Sequence, residues 1–369
     1  MKSIRGWPWP FLLLLAGAVV ATARGSATVT VSSSVVLAVF LPPLLFDAGF
    51  SLGLAHLRQQ WRWIALFGVA GSVLAAAFTF CFLSLLRFPP AEALLLSAVL
   101  AATDPVSVFS ALRGSSAPAR LRITLEGESL ANDAVAVVLI TLALGILTSS
   151  NDLPVEIPLL FVRLSLLGLA VGLVTGFLLR RVLSKVRWPV GIAASLPLAY
   201  VAFFAADRLG GSGLLAAIVS AVVASGAALD LDEQALHRFW RAVGGLMAAL
   251  VFLLIGLQVR IDLVARVGWR LLLLVLAVTL SRLLMVVIIT RAAHRLWPWR
   301  WQAALTWAGL RGALSLALAL SIPARVNDRV EVVTLAAGFI LVSSAIQALL
   351  LRPVFRRLGL AATATMGSS

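Results

Sequence analysis

Charge is what this sequence has least of. Only 12% of its residues are Asp, Glu, Lys or Arg while 61% are hydrophobic, a pairing that excludes an ordinary soluble globular domain. One cysteine, Cys81, excludes a disulfide framework and a cysteine metal site; set in an apolar run, it is expected to be a buried structural thiol. The three histidines, His56, His237 and His294, fall near segment ends or in loops, which leaves no His/Cys ligand spacing for a transition metal. No G-x-x-x-x-G-K-[ST] loop and no Rossmann fingerprint is present, so neither a nucleotide nor any other cofactor is expected. Work done by such a chain has to draw on a gradient.

What is there is apolar sequence in long runs, with short Pro-, Gly- or Arg-containing connections and no polar block large enough for a separate soluble domain. A window of ~20 residues finds about twelve segments, at 10–23, 34–57, 63–86, 91–112, 123–148, 157–180, 190–206, 209–229, 239–259, 269–290, 301–322 and 331–351. The expected fold is therefore an all-α polytopic membrane protein, with the bilayer as its solvent. Residues 1–355 are read as one transmembrane domain and 356–369 as a short cytoplasmic tail. The first segment follows Lys2 and Arg5 and ends in Ala21-Thr22-Ala23, which also suits a signal peptide. A formal charge of +15 raises the question of nucleic acid, but the basic residues are scattered through the loops and form no stripe. With the N-terminus inside, nineteen Lys and Arg fall on the cytoplasmic side and eight on the other, which places both termini in the cytoplasm of a cell-membrane protein.

Ionisable side chains at membrane depth are costly unless paired or facing water, and each is a functional candidate. Here they are Asp47, Asp104, Glu126, Glu128, Asp133, Arg282 and Arg311. Asp104 precedes Pro105, which interrupts its helix and frees carbonyls beside a carboxylate, a recipe for a cation site in secondary transporters. AATDPVSVFSALR and AGLRGALSLALAL are both small-residue-rich, both interrupted, and carry opposite charges, as two inverted repeats with two interrupted crossing helices require. In LEGESLANDAVAVV, Ser129 and Asp133 share one helical face and Glu128 and Asn132 another, roughly 140° away at ~100° per residue. One carboxylate can then face a cavity while the other takes a fixed partner, for which Arg282 and Arg311 are the guanidinium groups deep enough.

The phrases FLPPLLFDAGFSL, TDPVSV, EGESLANDAVAVV, SRLLMV and WAGLRGALSLALALSIP, in this order and spacing, resemble the monovalent cation:proton antiporters of the NhaP and NHE type over nearly the whole chain. The resemblance implies that Asn132 and Asp133 mark the ion-binding helix, with Asp133 the main cation and proton site. It implies further that Asp104, Thr103 and Ser129 line that site with Na⁺ held at Asp133 and Asp104, that Glu128 pairs with Arg282, and that Arg311 balances exposed helix ends. Members with Asn-Asp exchange one cation for one proton, and a homodimer is expected from the family alone. The family's first helix is missing from this count, Ala131 stands where Leu is common, and the tail leaves out the regulatory domain of the animal exchangers.

The expected function is thus electroneutral exchange of Na⁺, or Li⁺ or K⁺, for H⁺ by alternating access, without enzymatic chemistry. Two other classes compete with it. A cation channel also selects with acidic side chains. GGSG at Gly210 to Gly213 fits an intramembrane serine protease with Ser212 as nucleophile, yet no histidine inside a later segment offers a base.

Overall fold

The computed structural model describes residues 9–24, 35–103, 117–148, 153–185, 190–225, 233–257, 259, 261–293, 297–309, 311–326 and 328–360. All regular structure among them is helical. In chain order the helices are α1 (Trp9–Ala23), α2 (Leu41–Leu52), α3 (Leu54–Ala65), α4 (Gly71–Leu85), α5 (Pro90–Val99), α6 (Ala119–Thr148), α7 (Leu153–Leu183), α8 (Val190–Arg208), α9 (Gly213–Ala224), α10 (Glu233–Gly256), α11 (Ile261–Arg266), α12 (Gly268–Ala292), α13 (Trp299–Trp307), α14 (Ala313–Leu320) and α15 (Arg329–Arg357). Seven of the helical runs are long and apolar enough to cross a bilayer, and shorter apolar helices accompany them. In hydrocarbon a helix satisfies its own backbone, which is why apolar sequence of this length becomes helix.

The expected segments map onto these helices with instructive differences. Segments 34–57 and 63–86 divide at Gly53, whose φ of 72° suits glycine alone, and α3 then runs into α4 through a π-helical stretch, Leu66–Ala70. The described part of segment 91–112 is helical to Val99, and 104–112, with Asp104 and Pro105, lie outside the described residues. Segment 301–322 is two half-helices, α13 and α14, with Gly309 and Gly312 in the break between them. The expected tail begins in the last turn of α15, and 361–369 are outside the described residues. Cys81 is exposed on α4, not buried. Its run is apolar all round because lipid covers one face and protein the other, so an apolar neighbourhood in sequence does not mean protein neighbours.

Among the described residues the helices fall into a set α1 to α6, a connecting pair α7 and α8, and a set α9 to α15, the order that two inverted repeats require. The packing has the matching two-fold exchange. Helix α1 packs on α10 and α2 on α9, while α4 meets its counterpart α12 and α5 meets α14. The first two contacts are made through glycine: a Cβ on Gly17 would come within 2.6 Å of the Leu253 carbonyl oxygen, and one on Gly49 within 2.8 Å of the Ile218 carbonyl oxygen.

Two bundles result. One, made of α1, α2 and α7 to α10, is sewn together by such glycines and by an apolar cluster around Phe46, Phe50 and Trp240. The other, made of α3 to α6 and α12 to α15, holds the deeply buried charges.

Candidate functional site

The ion-site candidates converge where the chain leaving α5 passes α6. Thr103, just beyond the end of α5, is 5% exposed, and Asn132 and Asp133 of α6 are 0% and 3% exposed. The Thr103 amide donates to Asn132 Oδ1 at 3.1 Å, and Asn132 Nδ2 donates to Thr103 Oγ1 at 2.5 Å. Thr103 Oγ1 lies 3.0 Å from Ser129 Oγ, whose own hydroxyl donates to the Thr103 carbonyl at 3.0 Å. Ser129 and Asn132 together therefore hold one residue of unwound backbone. This corrects the expectation that Asn132 shares its face with Glu128: three residues of helix turn Asn132 back towards Ser129, and long polar side chains close the remaining angle. Asp133, the next residue, is buried at the same level.

Glu128 points elsewhere. Its carboxylate forms a two-point ion pair with Arg282 of α12, Oε1 to Nη1 and Oε2 to Nη2, the latter at 2.9 Å. Arg282 also donates from Nη2 at 3.0 Å and from Nε at 3.2 Å to the carbonyl of Leu305. That carbonyl is in the last turn of half-helix α13, where helix carbonyls lack intrahelical partners and carry the negative end of the dipole. Arg282 thus compensates a carboxylate and a helix terminus at once. Gly309 makes room for it, since a Cβ there would sit against Arg282 Nε, 2.9 Å from Cδ and 3.0 Å from Cζ.

Arg311, in the break between α13 and α14, is 3% exposed and donates from Nη1 to the Gly309 carbonyl at 3.0 Å. Its burial places it among the charges of the interior and not at a rim. Half-helix α14 and the chain leaving α5 touch directly: Ser315 Oγ of α14 donates to the Ala102 carbonyl at 3.2 Å. Asp104, the remaining candidate, lies outside the described residues.

The arrangement combines a buried carboxylate, hydroxyl and amide oxygens beside unwound backbone, and a separately neutralised Glu–Arg pair. Those are the hard oxygen donors a small monovalent cation needs. The sodium/hydrogen exchanger transmembrane family model matches residues 2–357. The chain belongs to the sodium/hydrogen exchanger family. Among its relatives, this exchanger-family chain is 34% identical to the Na⁺/H⁺ antiporter NhaG of Bacillus atrophaeus over 338 residues, covering 88% of this chain and 64% of NhaG. It is 32% identical to the Na⁺/H⁺ antiporter ApNhaP of Aphanothece halophytica, over 96% of this chain and 70% of that protein. The solved structure of the sodium proton antiporter MjNhaP1 from Methanocaldococcus jannaschii superposes with a TM-score of 0.75 at 20% identity, over 95% of this chain and 92% of that one. That likeness shows the fold.

The other marked residues of this exchanger-family chain are Ser212, Asp47 and Glu126. Ser212 is the N-cap of α9, its Oγ accepting from the Leu215 amide at 3.2 Å, so its hydroxyl serves the backbone. Asp47 of α2 packs against Gly244 of α10, and Glu126 of α6 is half-buried. Sequence reasoning missed the Leu305 carbonyl, Ser315 and the packing of Gly309 against Arg282.

Proposed function

We propose that this chain exchanges a monovalent cation, Na⁺ first, for H⁺ by alternating access, with Asp133 the site for which the two compete. The single observation that carries the reading is a buried Asp133 next to the Thr103–Ser129–Asn132 cluster beyond the end of α5, in a chain of the exchanger family. The relatives' names as Na⁺/H⁺ antiporters support the substrates.

Coupling follows from solvation. Moving a bare carboxylate through a low-dielectric barrier costs several kcal/mol or more, so the helices carrying Asp133 cross only with a proton or a cation bound. Glu128 is withdrawn from competition by Arg282, and Asn132 does not titrate, so of the Asn132–Asp133 pair only Asp133 exchanges. One cation against one proton is electroneutral. We place Asp104 with Thr103, Ser129 and Asn132 around the cation, Glu128 and Arg282 as the fixed pair, and Arg311 as the balance for the half-helix ends. The arginine-rich face and both termini are assigned to the cytoplasm of a cell membrane.

The test is dissipation of an imposed ΔpH in proteoliposomes by Na⁺, Li⁺ and K⁺. The Na⁺-driven rate should be indifferent to a membrane potential set with valinomycin and K⁺. A rate that follows the potential means net charge moves, as in a channel or a two-proton exchanger.

A further inference from the structure

On the arginine-rich side, away from the ion-site residues, a cleft of about 660 Å³ opens among Gln59, Trp61, Arg62, Trp63 and Arg120. Among the described residues lining it none is acidic, while two are arginines and two are tryptophans. Arg120, in the first turn of α6, is set in advance by aromatic faces: its guanidinium carbon is 5.5 Å from the Trp63 ring centroid and 5.3 Å from that of Trp297. Trp63 and Trp297 are themselves locked edge-on, with centroids 4.9 Å apart. Arg62 lies 5.5 Å from the ring of Trp61, which is 55% exposed.

The cleft is amphiphilic and sits at a membrane boundary. With 30 residues, α6 is about 45 Å long at ~1.5 Å per residue, longer than the hydrocarbon core, and the end that carries Arg120 and Arg122 is the one that emerges from lipid. Trp61 and the neighbouring Trp299, 67% exposed, are tryptophans of the kind that settle at headgroup level. Leu66 continues the lining from the headgroup level towards lipid.

We propose that this cleft binds the phosphate headgroup of an anionic phospholipid, with Arg120 and Arg62 on the phosphate oxygens and Trp61, Trp63 and Leu66 along the glycerol and upper acyl chain. Guanidinium groups bind phosphate through paired charge-assisted hydrogen bonds, and neither arginine has an acidic side chain in the cleft to displace first. The apolar side of the cleft and its interfacial level favour a lipid over a free phosphorylated solute. Arg120 lies eight residues before Glu128 on α6, about 12 Å along the axis, so the site is separate from the ion-site residues and does not rest on the exchange reading.

Native mass spectrometry of the detergent-purified full chain tests it, with phosphatidylglycerol, phosphatidylcholine and inorganic phosphate as probes. The wild type should retain phosphatidylglycerol over phosphatidylcholine and should not retain phosphate. Arg62→Gln with Arg120→Gln should lower phosphatidylglycerol retention about tenfold. Arg62→Gln alone, which leaves the Trp63–Trp297 packing untouched, should lower it in part. Equal retention by wild type and both variants overturns the proposal, and so does retention of inorganic phosphate as strong as that of the lipid.

Discussion

The two bundles of this molecule solve the same problem, holding helices together where lipid offers no hydrophobic reward for association, and one of them adds buried charge to do it. The α1, α2 and α7 to α10 bundle does it by close approach. Gly168, Gly172 and Gly176 of α7 form a ladder against α9, where added Cβ atoms would come within 2.7 to 2.8 Å of Ser212, Val219 and Val223 atoms. The α3 to α6 and α12 to α15 bundle also uses close approach, at Gly68 and Gly127, but in addition keeps Glu128, Asp133, Arg282 and Arg311 buried and adds ion pairs and side-chain bonds to broken backbone. The difference teaches where tolerance should lie. Small residues set distance and can be tested by volume, while buried charges set pairing and can be tested by neutralisation.

The largest expected effect is on transport in the charged bundle. Asp133→Asn preserves volume and removes the titratable group, so cation-driven ΔpH dissipation should vanish while the purified protein stays monodisperse. A wild-type rate would remove Asp133 from the site and erase the distinction between the bundles.

Next in size is the fixed pair. Glu128→Gln or Arg282→Gln alone strands a buried charge and should lower stability by roughly 3–5 kcal/mol. The double variant should be markedly more stable than the two losses added together, whereas Asp133→Asn combined with Arg282→Gln should show much weaker coupling. Thermal unfolding in detergent reads all of these. Strong coupling of Arg282 to Asp133 and none to Glu128 inverts the two roles.

In the glycine-sewn bundle, Gly172→Leu forces α7 away from α9 and should cost on the order of 1–3 kcal/mol. The apparent Na⁺ affinity of the protein that remains folded should not change. An altered affinity with intact stability would show that this bundle helps to form the site. A smaller effect is expected for Ser129→Ala, which removes one hydroxyl from the Thr103 cluster and should weaken apparent Na⁺ affinity severalfold with a stability loss of about 1 kcal/mol.

The smallest effect should come from the ion pairs at the other membrane face. There Arg270 bonds Glu92 at 2.7 Å and Glu331 at 2.8 Å and covers the Phe88 ring at 4.8 Å. Glu331 is half exposed, so Glu331→Gln should change the unfolding temperature little. A loss comparable with that of Glu128→Gln would mean that this face is as tightly coupled as the buried pair.

Much of this was legible in one dimension, because the bilayer imposes strong rules. Apolar run length marked where helices lie, since unpaired backbone cannot exist in hydrocarbon. The interruption at Gly309 and Gly312 showed in residue type alone. Rarity of charge made Glu128, Asp133, Arg282 and Arg311 stand out, because a chain this apolar carries a buried charge only where something compensates it. Sequence by itself determined that the protein is helical, that it crosses the membrane repeatedly, and which few residues hold charge within it.

Tertiary structure decided the partners. Helical periodicity placed Glu128 and Asp133 on different faces but left both arginines open to either, and packing α12 beside α6 put Arg282 on Glu128. It turned Asn132 towards Thr103, against its expected company, because 100° steps are coarser than the reach of an amide side chain. It exposed Cys81, since a run that is apolar on every side carries no record of which side meets protein and which meets lipid. The Leu305 carbonyl, a backbone atom that every residue type carries, could become a partner of Arg282 only when a half-helix ended beside that arginine.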